Sequence, residues 1–162
     1  MLRNRLRSDN MREEPVTEHP ELAFFNSLSG RLKIDLDMPA EQVGHLTNLR
    51  ASPTARVVRL TLEAEVFIRD TGEFRPLTPE EWDAVAFRDR SIRLRTDDGE
   101  AVLHHAPNGS FFTVRELLQA VEETERRTRG QSEWLGGVDV HHIFFEGIHP
   151  GEDGVWQIYW GS

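Results

Sequence analysis

Five of the seven histidines lie in two short segments, one of which also carries carboxylates, and these residues are the best suited to chemistry. Imidazole and carboxylate groups are the usual ligands of zinc and non-haem iron, and they also act as general acids and bases. The pattern therefore raises the hypothesis of a transition-metal centre. The candidate metal ligands are His104, His105, Asp139, His141, His142 and Glu146.

A metal centre depends on the elements that hold these side chains. The sequence predicts that both segments are strands, so adjacent histidines point to opposite faces. Within a strand, Asp139 and His141 lie about 6.6 Å apart and are able to share one ion. A third ligand must then come from His104 or His105 on another strand. No established metal-binding spacing is present, so we expect surface or core roles for most of these residues and no resident cofactor.

Three of the four tryptophans and the single tyrosine lie in the C-terminal part of the chain. Packing in the core is one interpretation of these rings. The other interpretation is a contact surface, because Trp and Tyr anchor protein–protein contacts efficiently. The candidate interface residues are Trp134, Trp156, Tyr159 and Trp160.

The strands follow from the period of the apolar residues. From Val58 to Ile68, apolar residues alternate with charged or polar ones, which predicts a strand of an antiparallel sheet with one face in water. Turn residues at Asp97-Asp98-Gly99 and at 150–154 predict two hairpins. The second hairpin carries apolar residues on both faces, so we expect it either at the centre of the sheet or covered on both sides.

Two tetrads, Thr78–Glu81 and Thr113–Glu116, have the Ser/Thr-x-x-Glu pattern of a capping box at a helix N-terminus. The first predicts a short helix over 79–87. The second predicts a longer helix over 114–129, in which apolar residues recur with the helical period. A spacing of four residues predicts surface ion pairs such as Glu122–Arg126 along the longer helix.

These elements predict a single α+β domain over residues 21–162. We expect a mainly antiparallel sheet of about five to seven strands, with two or three helices packed on it. Residues 1–20 are polar and contain almost no apolar side chains, so we expect a mobile polar N-terminal tail.

Composition narrows the classes of function. The chain has no cysteine, which excludes disulfides and thiolate chemistry, and its formal net charge is -9. An acidic protein does not favour nucleic acid, and no apolar run approaches the roughly 20 residues of a membrane span. The N-terminus lacks the apolar segment of a secretory signal, so we expect a cytoplasmic protein.

No motif identifies a known family or a reaction. We therefore expect a non-enzymatic, acidic binding or interaction module that acts through a protein partner or by self-association. Two alternatives remain open. One is a small metal-dependent enzyme or metal-binding protein that uses the histidines and carboxylates named above. The other is an acidic immunity protein or inhibitor that neutralises a basic toxin.

Overall fold

The structure is a computed structural model that describes residues 19–36, 57–97, 99–129 and 140–162. Within these ranges it contains three α-helices and nine strands. The helices are α1 (Leu22–Ser27), α2 (Pro79–Trp82) and α3 (Val114–Thr128). The strands are β1 (Ser29–Leu36), β2 (Val57–Ile68), β3 (Glu73–Arg75), β4 (Val85–Phe87), β5 (Ser91–Thr96), β6 (Val102–His105), β7 (Phe112–Thr113), β8 (Phe144–Pro150) and β9 (Val155–Gly161).

Seven of the strands form one sheet in the order β3-β2-β1-β8-β9-β5-β6, and β4 pairs with β7 in a separate two-stranded sheet. Neighbours in the large sheet are antiparallel except β5 and β9, which run parallel. The predicted α+β class with a mainly antiparallel sheet is therefore confirmed. Both predicted hairpins, β5–β6 and β8–β9, are present, and β8 and β9 lie at the centre of the sheet.

The large sheet has two unlike faces, as the alternation in β2 predicts. Leu60 and Leu62 are buried, whereas Glu63 and Glu65 are exposed. Helix α3 packs against the face that carries Leu62, and we call this the inner face. The opposite face, which carries Glu63 and Glu65, is the outer face.

The sheet curves around α3, so that strands near both of its margins reach the helix. On β2, the backbone N–H of Leu62 donates to Glu122 Oε2 at 2.7 Å. On β6, His104 Nε2 lies 2.7 Å from Thr124 Oγ1. β2 and β6 are five strand spacings apart, which is ~24 Å in a flat sheet, yet they contact helical residues two positions apart. Because a helix is only about 10–12 Å across, a strongly curved sheet is required.

Both predicted capping boxes are present. Thr78 Oγ1 accepts a hydrogen bond from the Glu81 N–H at 3.1 Å, and Glu81 Oε1 accepts one from the Thr78 N–H at 2.9 Å. The same exchange joins Thr113 and Glu116 at the start of α3, with distances of 3.2 and 2.9 Å. Local sequence is sufficient to predict these features because each box closes within four residues.

The predicted extent of α2 as far as Phe87 is wrong, because the helix ends at Trp82. Val85–Phe87 instead forms β4, which pairs with β7 and places Ala86 and Phe87 in the core. The β-branched and aromatic side chains at 85 and 87 suit an extended chain, and the partner strand satisfies its backbone groups.

The predicted surface pair between Glu122 and Arg126 is also wrong. Glu122 accepts from the Leu62 N–H, and Arg126 Nε donates instead to Glu123 Oε2 at 3.1 Å. An exposed pair on a helix stabilises by only a few tenths of a kcal/mol, whereas a half-buried backbone N–H left without a partner costs about 1 kcal/mol or more. The backbone donor of β2 therefore decides where Glu122 points.

The prediction that the segment with His141 and His142 is a strand is wrong at residues 140–143. β8 begins at Phe144, and residues 140–143 precede it without strand structure. Residues 130–139 lie outside the described part of the chain. The histidines at 141 and 142 therefore do not alternate across a strand.

A β-bulge interrupts the pairing of β8 with β9 between Phe145 and Ile148. Gly147 lies in this bulge with a φ of +96°, and a Cβ there would lie 2.9 Å from Asn26 Oδ1. The Asn26 side chain fixes the bulge, because it donates to the Ile148 carbonyl and accepts from the Ile148 N–H. The extra residue allows Phe145 and Ile148 both to face the core, although they are three positions apart.

One hydrophobic cluster includes residues from Leu22 to Ile158 and joins α1, α3 and the inner face. Phe25 of α1 packs edge-on against Phe145 of β8, with ring centroids 5.5 Å apart. Among the described residues, no helix has the length and apolar character needed to cross a membrane. Residues 1–18 of the predicted N-terminal tail lie outside the described part of the chain.

Candidate interface on the outer face of the sheet

His104 lies on the inner face and joins β6 to α3. The Thr124 hydroxyl already donates its hydrogen to the Ala120 carbonyl, so His104 Nε2 must be the donor to Thr124 Oγ1. Burial lowers the pKa of His104 and favours its neutral ring. The next residue, His105, is exposed, as expected for adjacent positions in a strand. The geometry gives His104 a structural contact between strand and helix.

The two histidine pairs lie toward opposite ends of the sheet. His104 pairs with Ile92, near the start of β5. His142 precedes Phe144, which pairs with Gly161 at the end of β9. Because β5 and β9 run parallel, these positions are at opposite ends of their strands. The register therefore does not bring His104 or His105 onto a strand position next to the second pair.

The rings of His141 and His142 contact each other, with centroids 5.1 Å apart, and the His142 carbonyl accepts from Arg129 Nη2 at 2.8 Å. Glu146 is exposed on β8. The described residues contain no group of three or more His, Asp or Glu side chains arranged to hold a metal ion. Asp139 lies outside them, so a site that includes this carboxylate stays a prediction.

The aromatic candidates separate into core and surface positions. Trp156 packs against Phe87, with ring centroids 5.3 Å apart, and Trp160 packs against Phe145 at 5.6 Å. Both indoles adjoin the hydrophobic core. Tyr159 is 46% exposed and is available for an interface, whereas Trp134 lies outside the described residues.

A groove crosses the outer face of β8, β1 and β2 and reaches β3 and α2. Its volume is about 700 Å³. Phe74 at one end and Phe144 at the other are 53% and 46% exposed, which is unusual for such large apolar side chains. The charged and aromatic residues that line the groove are Arg31, Glu63, Glu65, Phe74, Trp82 and Phe144.

Among the described residues, the two carboxylates in the groove have no bonded partner. In the described ranges, the side-chain carboxylates of Glu63 and Glu65 make no hydrogen bond or ion pair with any side chain or backbone group. Farther along the same two strands, by contrast, Asp35 accepts from Arg59 Nε at 3.1 Å. The groove therefore combines exposed aromatic surface with negative charge that is not neutralised by a bonded cation.

A second hollow, of about 360 Å³ and bordered by Phe24, offers a useful contrast. Two of its three carboxylates, Glu21 and Glu81, are already paired with Arg88 and Arg75, and only Glu80 has no ion pair among the described residues. The bidentate contact with Arg75 lowers the pKa of Glu81 to about 2, helped by the Thr78 N–H. Most of the charge in this hollow is already paired within the chain, so the groove on the outer face is the stronger candidate for binding.

Sequence reasoning missed the groove, although one signal points to it. Phe67 occupies a position of β2 where the alternation calls for a polar residue, and it is 48% exposed. It packs on Phe74 of β3, with ring centroids 5.3 Å apart. A large apolar residue in the polar register of a half-exposed strand is therefore a sign of a contact surface.

The fold and the groove together define an α+β protein in which a curved sheet surrounds one helix and exposes an aromatic, acidic groove on its outer face. Scans of the chain against protein-family models, curated proteins and solved structures each found no match.

Proposed function

We propose that this chain is a non-enzymatic binding module whose outer-face groove takes a basic segment of a protein partner. One observation carries the proposal, namely a groove with exposed aromatic rings at both ends and, between them, the carboxylates of Glu63 and Glu65, which form no ion pair within the described part of the chain. Exposed rings supply apolar contact area and attract cations to their faces. The carboxylates add charge that favours Arg or Lys.

The groove suits binding better than catalysis. Glu63 and Glu65 are exposed to water, whereas catalytic carboxylates generally lie in partly dehydrated pockets that tune their proton affinity. Exposed aromatic residues, in contrast, are typical of the central contacts of protein–protein interfaces.

Net charge supports a basic partner over self-association. The formal net charge of -9 attracts a basic protein over long range and raises the rate of encounter. Two copies of the chain, each with this net charge, repel each other over long range, which disfavours self-association. An inhibitor of a basic toxin, one of the alternatives suggested by the sequence, is a special case of this proposal.

The test is selection of binding peptides on the full chain from a displayed library of random peptides, about 12 residues long so that each spans the groove. Selected peptides should be rich in Arg and Lys, and they should bind the Phe74→Ala variant at least about tenfold more weakly, since an aromatic anchor typically contributes more than 1 kcal/mol. Isothermal titration calorimetry with the synthetic peptides gives the affinities.

Leu103→Ala is the matched control, because Leu103 is also apolar and 51% exposed but lies on β6, away from the groove. This variant should bind the same peptides with unchanged affinity. The proposal fails if no peptide is enriched, or if the selected peptides bind the Phe74→Ala variant as tightly as the unmodified chain.

A further inference from the structure

The two ends of the groove differ in charge. At one end, Glu65 stands opposite Ser29 on β1, so no basic side chain faces it across the strands. Phe67 follows Glu65 by two positions on the same face of β2, and its ring contacts that of Phe74. Glu65 and Phe74 line this end, which we call the acidic end, and Phe67 lies beside it against Phe74, so one carboxylate adjoins two exposed rings.

At the other end, Arg31 and Phe144 are paired residues on β1 and β8. The guanidinium of Arg31 lies over the Phe144 ring, with its central carbon 5.9 Å from the ring centroid. Arg31 also stands opposite Glu63 on β2, yet the two side chains form no ion pair. The cation is thus directed toward β8, and this end, formed by Arg31 and Phe144, is the basic end.

The register fixes the separation of the two ends. Glu65 pairs with Ser29, and Phe144 pairs with Arg31, so the ends are two strands apart and displaced by two residues along the strands. With about 4.8 Å between strands and about 3.3 Å per residue, the separation is roughly 12 Å. An extended peptide covers this distance in about three or four residues.

We propose, on the basis of the function above, that the groove recognises an extended segment with a basic side chain over the acidic end and an acidic side chain, about three or four positions away, over the basic end. The basic side chain lies against Phe67 and Phe74 and pairs with Glu65. Arg fits this end better than Lys, because its planar group stacks on aromatic rings and pairs with a carboxylate through two N–H groups.

The test uses a displayed peptide library in which one central Arg is fixed and all other positions are random. On the unmodified chain, Asp and Glu should be enriched at about three or four positions from the fixed Arg, on one side of it only. Enrichment of acidic residues at no particular position overturns the inference.

Reversing the charge at each end of the groove identifies which side chains pair with the charged residues of the peptide. The Glu65→Lys variant should weaken binding of the selected peptides at least about tenfold, because an attraction becomes a repulsion. Selection on the Arg31→Glu variant should enrich a basic residue at the peptide position where the unmodified chain enriches an acidic one. Lys33→Glu is the matched control, since Lys33 is exposed on the same strand but does not line the groove, and selection on it should be unchanged.

The outcomes separate this inference from the proposed function. Suppose that the Arg31→Glu variant selects the same peptides as the unmodified chain, while Phe74→Ala still binds them more weakly. The inferred order of basic and acidic side chains is then wrong, but the proposal that the groove binds a basic segment stands. If the unmodified chain selects no peptide, both proposals fail. Thermal unfolding of each variant verifies that the changes do not act through loss of the fold.

Discussion

Charged side chains lie both between the inner face and α3 and on the outer face of the sheet. Those in the interior are paired, whereas two of those on the outer face are solvated and form no pair. Glu125 of α3 is 0% exposed and accepts from Arg129 Nε at 2.7 Å. Arg129 also lies over the Trp160 ring, with its central carbon 5.3 Å from the ring centroid. On the outer face, Glu63 and Glu65 stand in water without an ion pair among the described residues.

The difference follows from the local dielectric. Burial raises the pKa of Glu125, and the guanidinium of Arg129 opposes that rise, so the attraction between the two charges offsets part of the cost of burying them. Exposed carboxylates cost nothing to leave unpaired, because water solvates them. Inner-face charges should therefore govern stability, and outer-face charges should govern binding.

The largest effect should come from breaking the buried pair. Arg129→Met leaves Glu125 buried without its partner, which should lower the free energy of unfolding by about 3–5 kcal/mol. The double variant Glu125→Leu with Arg129→Met should recover most of the loss, because two apolar side chains need no partner. Urea denaturation at neutral pH measures both variants.

Arg126→Met is the control for this experiment. Arg126 pairs with Glu123 on the exposed side of α3, so its loss should cost less than about 1 kcal/mol. A single Arg129→Met variant as stable as the unmodified chain would contradict the role of the inner pair.

Two adjacent phenylalanines on β8 give the next test. Phe145 is 6% exposed and packs against Phe25 and Trp160, so Phe145→Ala should lower the free energy of unfolding by about 3 kcal/mol. Phe144 lies on the outer face, so Phe144→Ala should cost less than about 1 kcal/mol and weaken peptide binding instead. Denaturation and calorimetry on the same two variants separate the effects, and equal losses of stability would show that the faces are not distinct.

The smallest expected effect concerns pH. Because burial lowers the pKa of His104 in the folded chain, the unfolded chain binds a proton first as the pH falls below about 6.5. The unmodified chain should therefore lose stability relative to His104→Gln as the pH falls from about 7 to 5, by less than about 1 kcal/mol for a half-buried ring.

His105→Gln is the control for the pH series, because His105 is exposed on the neighbouring position. The same pH series on His105→Gln gives the baseline against which the His104→Gln series is compared. If the stability difference between the unmodified chain and His104→Gln does not change with pH, burial does not lower the pKa of His104.

Much of the local structure was predictable from the sequence, because it depends on contacts between residues close in the chain. The alternation in β2 predicted its two faces, and the two Thr-x-x-Glu tetrads predicted the starts of α2 and α3. The predicted end of α2 failed because β4 pairs with β7, a contact between residues about thirty positions apart. The bulge at Gly147 depends likewise on Asn26, which is distant in sequence.

The candidate site was only partly predictable for the same reason. Residue type alone raised the hypothesis of a site at the histidine pairs, but strand order and register place the two pairs toward opposite ends of the sheet. The groove joins residues of β8, β1, β2 and α2, and no window of the sequence contains them together. Phe67 alone marked this surface, as an apolar residue in a polar register.

Helix α3 shows where the boundary between sequence and tertiary structure lies. The sequence by itself determined its capping box, its apolar stripe and three Glu–Arg spacings of four residues, at Glu122–Arg126, Glu123–Arg127 and Glu125–Arg129. Local energetics make these three pairs equivalent. Only the third forms as a buried pair, because the curved sheet covers that side of the last helical turns and removes the water that would otherwise solvate both charges.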